Sequence, residues 1–351
     1  MPSEMKWLRQ LEEENGKLKK IVADLGGANF PKHFSSKFTS LPSAGVENPS
    51  KDLIQGCWQK YPRTGYEDGG PLSLCSRTRN MKIPLISHWR GDGDIAQAFL
   101  EYYAPNVSEF HLILHGPEET NRNILVLRAG FPITIHSMYD SLFDEYEKTR
   151  RLNELIPSFM GQWILLVDSD EFVELPYSSV KETVHQLERS RLSCIAAPML
   201  QRLRKDGSLD CPEIIRDAFA EFPLCSERLY ELMGGKGNAI KYPLFKCGPE
   251  TSIGIGNHYL PNGTDTHSDA FRGVTHHFKW KKSAIQRISY MIEIGWPWAE
   301  IEAIPYLKYL TTHDFLLPLD GSFIYSRDNL FRRGLLRRPR RGAPAKKASA
   351  R

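Results

Sequence analysis

The run of residues 163–174, WILLVDSDEFVE, constrains the fold of this chain more than any other segment. Its first five residues are a short apolar stretch, which predicts a strand buried on both faces of a parallel sheet. Carboxylates follow at once, at the end of the strand where such sheets bind ligands. Alternation places Asp168 and Asp170 on one side, where they repel unless a cation lies between them. Hard oxygen ligands favour Mg²⁺ or Mn²⁺, so the segment predicts a site for a metal-bound diphosphate.

The chain upstream of this run alternates between strand and helix patterns. The predicted strands lie at 84–89, 110–115 and 133–137, and the predicted helices at 94–103, 121–129 and 143–159. Together with the strand at 163–167, they make four strands with helices between them. This order predicts an α/β sheet with right-handed crossovers.

The DSDEF run at 168–172 and the apolar strand before it resemble the DxD motif of GT-A glycosyltransferases, in particular the family 2-like branch whose motif reads D-x-D-E-F. Residues 83–92, IPLISHWRGD, also resemble that family's first strand and turn, so the resemblance covers roughly residues 81–290. It implies a GT-A type, Rossmann-like mixed sheet flanked by helices. It also implies that Asp168 and Asp170 bind Mn²⁺ or Mg²⁺ and, through it, the diphosphate of a nucleotide sugar.

The activity that this resemblance implies is sugar transfer with inversion, from a nucleotide-sugar donor to a glycan or lipid-linked acceptor in surface polysaccharide synthesis. Inversion needs a carboxylate that deprotonates the acceptor hydroxyl. Seven acidic residues lie between positions 206 and 231, and no spacing selects one of them. Asp217, Glu213 and Glu227 are the candidates, and the catalytic base stays open.

A second cluster, residues 273–283 (GVTHHFKWKKS), resembles the late motif of the same family, a His followed by an aromatic and a basic residue. The resemblance implies that one His completes the metal shell and that Lys279 faces the donor diphosphate. In an extended segment His276 and His277 point to opposite faces, so only one of them can serve the site. The residues alone leave open which one it is.

A third cluster, residues 246–258, resembles a family segment that precedes the acceptor pocket. Lys246 is therefore expected to hold a phosphate, and His258 to line the acceptor pocket. The chain departs from the family after the second strand. An Asp that contacts the nucleotide base is common there, whereas residues 115–120 read HGPEET, so the base is not assigned.

Two other functions compete with sugar transfer. Paired aspartates with nearby lysines also suit a metal-dependent phosphoryl-group hydrolase, although residues 169–173 lack the Thr of a D-x-D-x-T setting. A dimeric transposition accessory protein is suggested by the amino-terminal segment alone. That function predicts a basic helix or a helix-turn-helix, and the sequence pattern indicates neither.

The amino-terminal segment, residues 1–25, is expected to form a short coiled-coil helix. Its a positions are Leu8, Asn15 and Val22, and its d positions are Leu11, Leu18 and Leu25. It resembles the leucine zipper of the IS3-type transposase small subunit. Residues 26–80 read as a linker or disordered segment. We expect residues 1–80 to be a mobile-element remnant or upstream sequence, with a genuine dimerising appendage as the open alternative.

The carboxyl-terminal segment, residues 331–351, reads as a basic disordered tail after an α/β domain at 81–330. It holds nine Lys or Arg and no acid, whereas the whole chain has a net charge of +4. The main domain is therefore acidic and is not expected to bind nucleic acid. The tail is either a solubilising segment or a contact to anionic inner-leaflet lipid. The sequence shows no apolar run long enough to span a membrane and no signal peptide, so we expect a cytoplasmic protein.

Overall fold

The computed structural model describes residues 82–237, 240–260 and 268–339. The predicted coiled coil at 1–25, the predicted linker at 26–80 and the last twelve residues of the predicted tail lie outside the described residues.

The described residues contain ten strands in one mixed sheet. The strands are β1 (Ile83–Trp89), β2 (Val107–His115), β3 (Ile133–Tyr139), β4 (Trp163–Leu166), β5 (Glu171–Glu174), β6 (Cys194–Leu203), β7 (Leu224–Ser226), β8 (Ile240–Lys246), β9 (Val274–His277) and β10 (Phe323–Ile324). Their order is β10-β7-β6-β8-β4-β1-β2-β3, with β9 joining β6 to β5 off this path.

Nine α-helices accompany the strands in the described part of the chain. They are α1 (Ala96–Tyr103), α2 (Glu118–Leu127), α3 (Glu145–Leu155), α4 (Val180–Arg189), α5 (Ala218–Glu221), α6 (Leu229–Leu232), α7 (Ala284–Glu293), α8 (Ala303–Thr312) and α9 (Arg327–Arg332). None of these helices combines the length and apolarity that crossing a bilayer would require.

The first half of the sheet is parallel, and the second half is antiparallel. Strands β3, β2, β1 and β4 run parallel, whereas β8 is antiparallel to β4 and β6 is antiparallel to β8. The predicted α/β mixed sheet flanked by helices is therefore confirmed. The strands and helices predicted between residues 84 and 166 are present, with bounds that differ by a few residues.

Apolar side chains from both faces of the sheet form separate cores. Leu85 of β1 packs in a core that includes residues of α1 and α4, whereas its neighbour Ile86 packs in a core that includes residues of α3. This is the expected result of strand alternation when both faces of a parallel sheet are covered by helices. Burial on both faces also explains why residues 163–167 read as an unbroken apolar run.

Strands β5 and β9 bring the late sequence cluster to the end of β4. β5 begins five residues after β4 and pairs antiparallel with β9, so that Glu171 lies opposite His277. β9 is also parallel to β6, which places Gln201 beside His277. Residues about 100 positions apart in sequence therefore meet beside the carboxyl end of β4.

The boundary predicted at residue 330 falls inside a helix. Helix α9 runs to Arg332, Leu335 and Leu336 are buried, and Arg337 forms a β-bridge with Arg272. The part of the predicted tail that is described is thus folded onto the α/β unit, and the prediction of disorder is corrected for residues 331–337. Leucines in a segment otherwise rich in Arg allow this packing, because their burial removes apolar surface from water.

Candidate functional site

A group of carboxylates lies at the carboxyl ends of two neighbouring parallel strands. Strand β1 pairs with β4, and Asp92 follows β1 while Asp168 and Asp170 follow β4. Gly91 has a positive φ of 71°, a conformation that glycine adopts without steric cost, and this turn leads directly to Asp92. The Ser169 hydroxyl donates a hydrogen bond to Asp92, which links the two turns. Asp168 and Asp170 thus lie with Asp92 at the carboxyl ends of these parallel strands.

The turn between β4 and β5 gives its acidic residues different surroundings. The Glu171 backbone N–H donates to the Asp168 carbonyl, and the Asp168 N–H donates to the Glu171 carboxylate over 3.1 Å. The Phe278 N–H donates to the Asp170 carbonyl over 2.8 Å. These bonds fix the turn from both sides. The two aspartates are consequently close in sequence but have different partners.

Asp168 is held by two buried lysines. Lys148 Nζ lies 2.8 Å from one carboxylate oxygen, and Lys241 Nζ lies 3.2 Å from the other. Burial alone would raise the pKa of Asp168, but the two ammonium groups hold that pKa well below its usual range. Both oxygens are therefore engaged by cations. Asp168 was predicted as a metal ligand. In the structure each of its carboxylate oxygens instead forms an ion pair with a buried lysine.

One carboxylate oxygen of Asp170 lies close to both a guanidinium group and an imidazole ring. Its Oδ2 lies 3.2 Å from Arg287 Nη1 and 3.5 Å from His277 Nε2. Burial opposes ionisation of Asp170, yet His277 and Arg287 hold its pKa well below the usual range. Asp170 is therefore an ionised carboxylate in a buried site, and the oxygen that accepts from Arg287 also faces His277.

The two histidines of the late cluster point in opposite directions, as strand alternation predicts. His276 is fully buried, and its Nε2 lies 3.1 Å from Glu174 Oε2. Burial lowers the pKa of His276 to about 4, so it is neutral at physiological pH. His277 faces Asp170 instead. The structure thus brings His277 to the predicted site and places His276 in a core on the other face.

The Asp170–His277 pair fits a divalent cation. The two donor atoms are 3.5 Å apart. That separation suits two neighbouring ligands of one ion, each bonded at about 2.1 Å. No cluster of three or more His, Cys, Asp or Glu side chains in the described residues is arranged to hold a metal. Mg²⁺ is commonly held by one or two carboxylates together with substrate phosphates and water. A metal held by this pair would take its remaining ligands from water or from substrate phosphates.

Lys279 is a cation beside this pair that has aromatic neighbours instead of an anionic partner. Its Nζ lies 5.4, 5.5 and 5.1 Å from the ring centroids of Tyr230, Trp280 and Tyr306. Its ammonium group forms no hydrogen bond or ion pair with any residue of the described ranges. Burial lowers the pKa of Lys279, although Glu302 partly offsets this effect. Aromatic faces stabilise a cation but leave its charge uncompensated.

Lys281 and Asp92 belong to a closed ion-pair network next to the site. Lys281 is fully buried, with its Nζ 2.9 Å from Asp92 and 2.8 Å from Asp94. Arg287 bridges Asp92 and Asp170, at 3.0 and 3.2 Å. Lys281 therefore neutralises protein carboxylates. Sequence reasoning missed Asp92 and Asp94 as members of the site, although both directly follow the first strand.

Of the two lysines at the ends of β8, only one lies beside the carboxylates. Because β8 is antiparallel to β4, Lys246 lies opposite Trp163 at the start of β4, away from the carboxylates. Lys246 is exposed and pairs with Glu188 at 3.0 Å. Lys241, at the other end of the strand, is the lysine that reaches Asp168. The structure thus does not bring Lys246, predicted as a phosphate ligand, into the site.

His258, the residue predicted to line the acceptor pocket, lies on the Lys241 side of the site. Its Nδ1 is 2.7 Å from the Ile240 carbonyl oxygen. Burial and the positive charge of Lys241 lower the pKa of His258 to about 4. A neutral His258 with a bond to the backbone is fixed in orientation, which is compatible with a pocket wall.

The three acidic residues considered as catalytic base lie on the exposed surface. Asp217 caps α5 by accepting hydrogen bonds from two backbone N–H groups, Glu227 pairs with Arg333 at 2.9 Å, and Glu213 is exposed in a loop. Glu302 is a carboxylate within electrostatic reach of Lys279 and His277. It is half-buried, and burial raises its pKa while Lys279 and His277 partly lower it. No local pattern in the sequence distinguishes Glu302 from other acids before a helix.

No model of a known protein family and no curated protein sequence matches the chain. Solved structures do match. S. aureus TarS 1–349 in complex with UDP-GlcNAc is 16% identical, with a TM-score of 0.24, over 35% of this chain and 35% of that chain. S. aureus TarS 1–349 without a named ligand is 10% identical, with a TM-score of 0.29, over 72% and 74%.

A third similar structure is the inositol-1-phosphate CTP transferase from T. maritima, 11% identical, with a TM-score of 0.23, over 67% of this chain and 83% of that chain. The chain spans about a third of the length of the TarS structure that contains UDP-GlcNAc. These TM-scores are too low to assign a fold.

Proposed function

We propose that the protein is a metal-dependent glycosyltransferase that binds the diphosphate of a nucleotide sugar at the carboxyl ends of β1 and β4. Lys279 carries this proposal. Its ammonium group has no anionic partner in the described residues and lies near the ionised Asp170 and its neighbour His277. A diphosphate with a divalent cation supplies both an anion for Lys279 and a cation for Asp170 and His277.

In this proposal Asp170 and His277 hold Mn²⁺ or Mg²⁺, and phosphate oxygens complete the coordination. When bound, the metal neutralises the charge that develops on the leaving nucleoside diphosphate. Lys279 holds a phosphate oxygen from the side of its aromatic neighbours. Asp168 does not bind the metal, since Lys148 and Lys241 engage both its oxygens.

The acceptor hydroxyl needs a proton acceptor, and we propose Glu302 for that role. Its pKa is raised by burial, which strengthens it as a base relative to the exposed acids. It lies within electrostatic reach of Lys279 and His277 and thus on the donor side of the site. Transfer would move the acceptor proton to Glu302 as the sugar–phosphate bond breaks.

A saccharide or lipid-linked glycan is the proposed acceptor. Tyr146 is 57% exposed, and its ring stacks on Trp298 at 6.2 Å with an interplanar angle of 27°. Tyr146 lies in the first turn of α3, the helix whose Lys148 binds Asp168. Binding pockets are commonly lined by such aromatic side chains, and an exposed tyrosine ring beside a half-buried tryptophan suits the apolar face of a sugar ring.

The proposal is tested by thermal shift on the full chain with UDP-, GDP- and CMP-sugars, with and without Mn²⁺. UDP-GlcNAc, the ligand named in the TarS structure, is one of these donors. We expect stabilisation by one nucleotide class only when Mn²⁺ is present, of about 2.7 kcal/mol when the ligand concentration is 100 times its Kd. We also expect Asp170→Asn to abolish it.

Lys246→Met is the control for Asp170→Asn. It also neutralises an ion-paired residue, but Lys246 lies at the end of β8 away from the carboxylates. This variant should respond to the donor like the wild type. Absence of stabilisation by every donor, or an equal response of Asp170→Asn, would refute the proposed donor site.

A further inference from the structure

Gln201 is a buried amide that contacts the proposed metal ligand His277. It is 3% exposed, and the register of β6 and β9 places it directly beside His277. Its Oε1 lies 3.1 Å from His277 Nδ1 and 3.0 Å from Trp280 Nε1. One atom of the amide therefore contacts two ring nitrogens at hydrogen-bonding distance.

Trp280 determines which atom of the amide this is. An indole N–H is a donor only, so the amide atom that faces Trp280 must be the oxygen. The alternative amide orientation would direct an NH₂ group at the indole N–H and leave two donors facing each other. Trp280 is fully buried, so water does not offer its N–H another partner. The assignment of the oxygen thus follows from the chemistry of its neighbour.

The same oxygen then determines where the proton of His277 lies. An amide oxygen only accepts hydrogen bonds, so Nδ1 of His277 must carry a hydrogen. The Tyr230 hydroxyl, 3.2 Å from the same nitrogen, can accept as a second partner. Protonation of Nε2 gives the imidazolium that lowers the pKa of Asp170, whereas the neutral imidazole keeps its Nε2 lone pair, 3.5 Å from Asp170 Oδ2. Two electron-rich atoms facing each other provide a favourable position for a cation.

We infer that Gln201, oriented by Trp280, is a positioning residue that holds His277 in the tautomer protonated at Nδ1 and so directs its Nε2 lone pair toward a divalent cation shared with Asp170. The tautomer follows from the hydrogen bonds alone, and only the cation rests on the proposed function. Partners of this kind typically change metal affinity by about 10- to 100-fold when they are removed.

The experiment uses the full chain labelled with ¹⁵N-histidine at about pH 8, where an ordinary imidazole is neutral. The His277 signal is identified among the eleven histidines as the one lost in His277→Gln. Its ¹⁵N shifts report the tautomer without metal or nucleotide. Mn²⁺ affinity is then measured by calorimetry, also without nucleotide.

Three variants distinguish a positioning role of Gln201 from a general effect on folding. Gln201→Leu removes the acceptor, Gln201→Glu keeps an acceptor at nearly the same place, and Gln97→Leu changes a half-buried glutamine on α1 whose amide bonds to Glu101. We expect Gln201→Leu to lose the Nδ1–H tautomer and to bind Mn²⁺ about 10- to 100-fold more weakly. We expect Gln201→Glu and Gln97→Leu to keep the tautomer and to bind Mn²⁺ within a few-fold of the wild type.

A wild-type His277 protonated at Nε2, or a Gln201→Leu variant with the wild-type tautomer and affinity, would overturn the inference. Absence of Mn²⁺ binding in a wild type with the Nδ1–H tautomer would overturn the cation role and the metal dependence of the proposed function. Donor binding itself would then still be judged by the thermal shift, so the two failures are distinguishable.

Discussion

Removal of the Lys241 ammonium should cost far more stability than removal of the Lys246 ammonium, although both lysines form ion pairs on the same strand. Lys241 is 5% exposed and lies 3.2 Å from Asp168 and 2.8 Å from Glu171. It also donates to the Gly256 carbonyl over 2.6 Å. Lys246 is 45% exposed and pairs with Glu188, which is 46% exposed.

The magnitude follows from what each substitution leaves behind. Lys241→Met leaves Glu171, 3% exposed, without its cation, and breaking a buried pair in this way typically costs about 3–5 kcal/mol. Lys246→Met breaks an exposed pair, which is typically worth about 0–1 kcal/mol. With a total stability of about 5–15 kcal/mol for ordinary domains, the first loss is a large fraction and the second is not.

Urea unfolding of the wild type and both variants, at two pH values, provides the measurement. Burial already raises the pKa of Glu171, and loss of Lys241 raises it further. A carboxyl whose folded pKa is raised destabilises the fold as pH rises through that pKa, because it must then ionise. The loss in Lys241→Met should therefore be larger at about pH 8 than at about pH 5.

Glu171→Gln in the Lys241→Met background should recover part of the loss, since it removes the unpaired charge. The reasoning is refuted if the two lysine variants lose equal stability. It is also refuted if Lys241→Met loses the same free energy of unfolding at both pH values.

Two further predictions concern a histidine and the proposed base. Burial and Lys148 lower the pKa of His88 from 6.5 to about 3, so the unfolded state binds more protons and stability falls as pH drops from about 6.5. His88→Gln should flatten that dependence by up to about 1.4 kcal/mol per pH unit in urea unfolding between about pH 4 and 7, and an unchanged slope would contradict this. Glu302→Gln should slow release of nucleoside diphosphate from the donor by about 10²- to 10⁴-fold while the donor thermal shift is retained, and an unaltered rate would exclude Glu302 as base.

The sequence alone predicted the parts of this protein that depend on neighbouring residues. The apolar run at residues 163–167 predicted β4, and the acids after it predicted a carboxylate site at its end. The alternation of a strand predicted that His276 and His277 could not serve the same site. These features are local, because strand periodicity and the position of polar residues at strand ends are set within a few residues.

Only the tertiary structure determined which distant side chains surround the carboxylates. The pairing of β5 with β9 directs His277 rather than His276 at Asp170, and a slip of one residue would exchange them. The antiparallel run of β8 brings Lys241 to Asp168 and takes Lys246 to the opposite end. The contact of Gln201 with His277 likewise arises from the register of β6 and β9. Such registers depend on the packing of the whole sheet, so no local pattern in the chain encodes them.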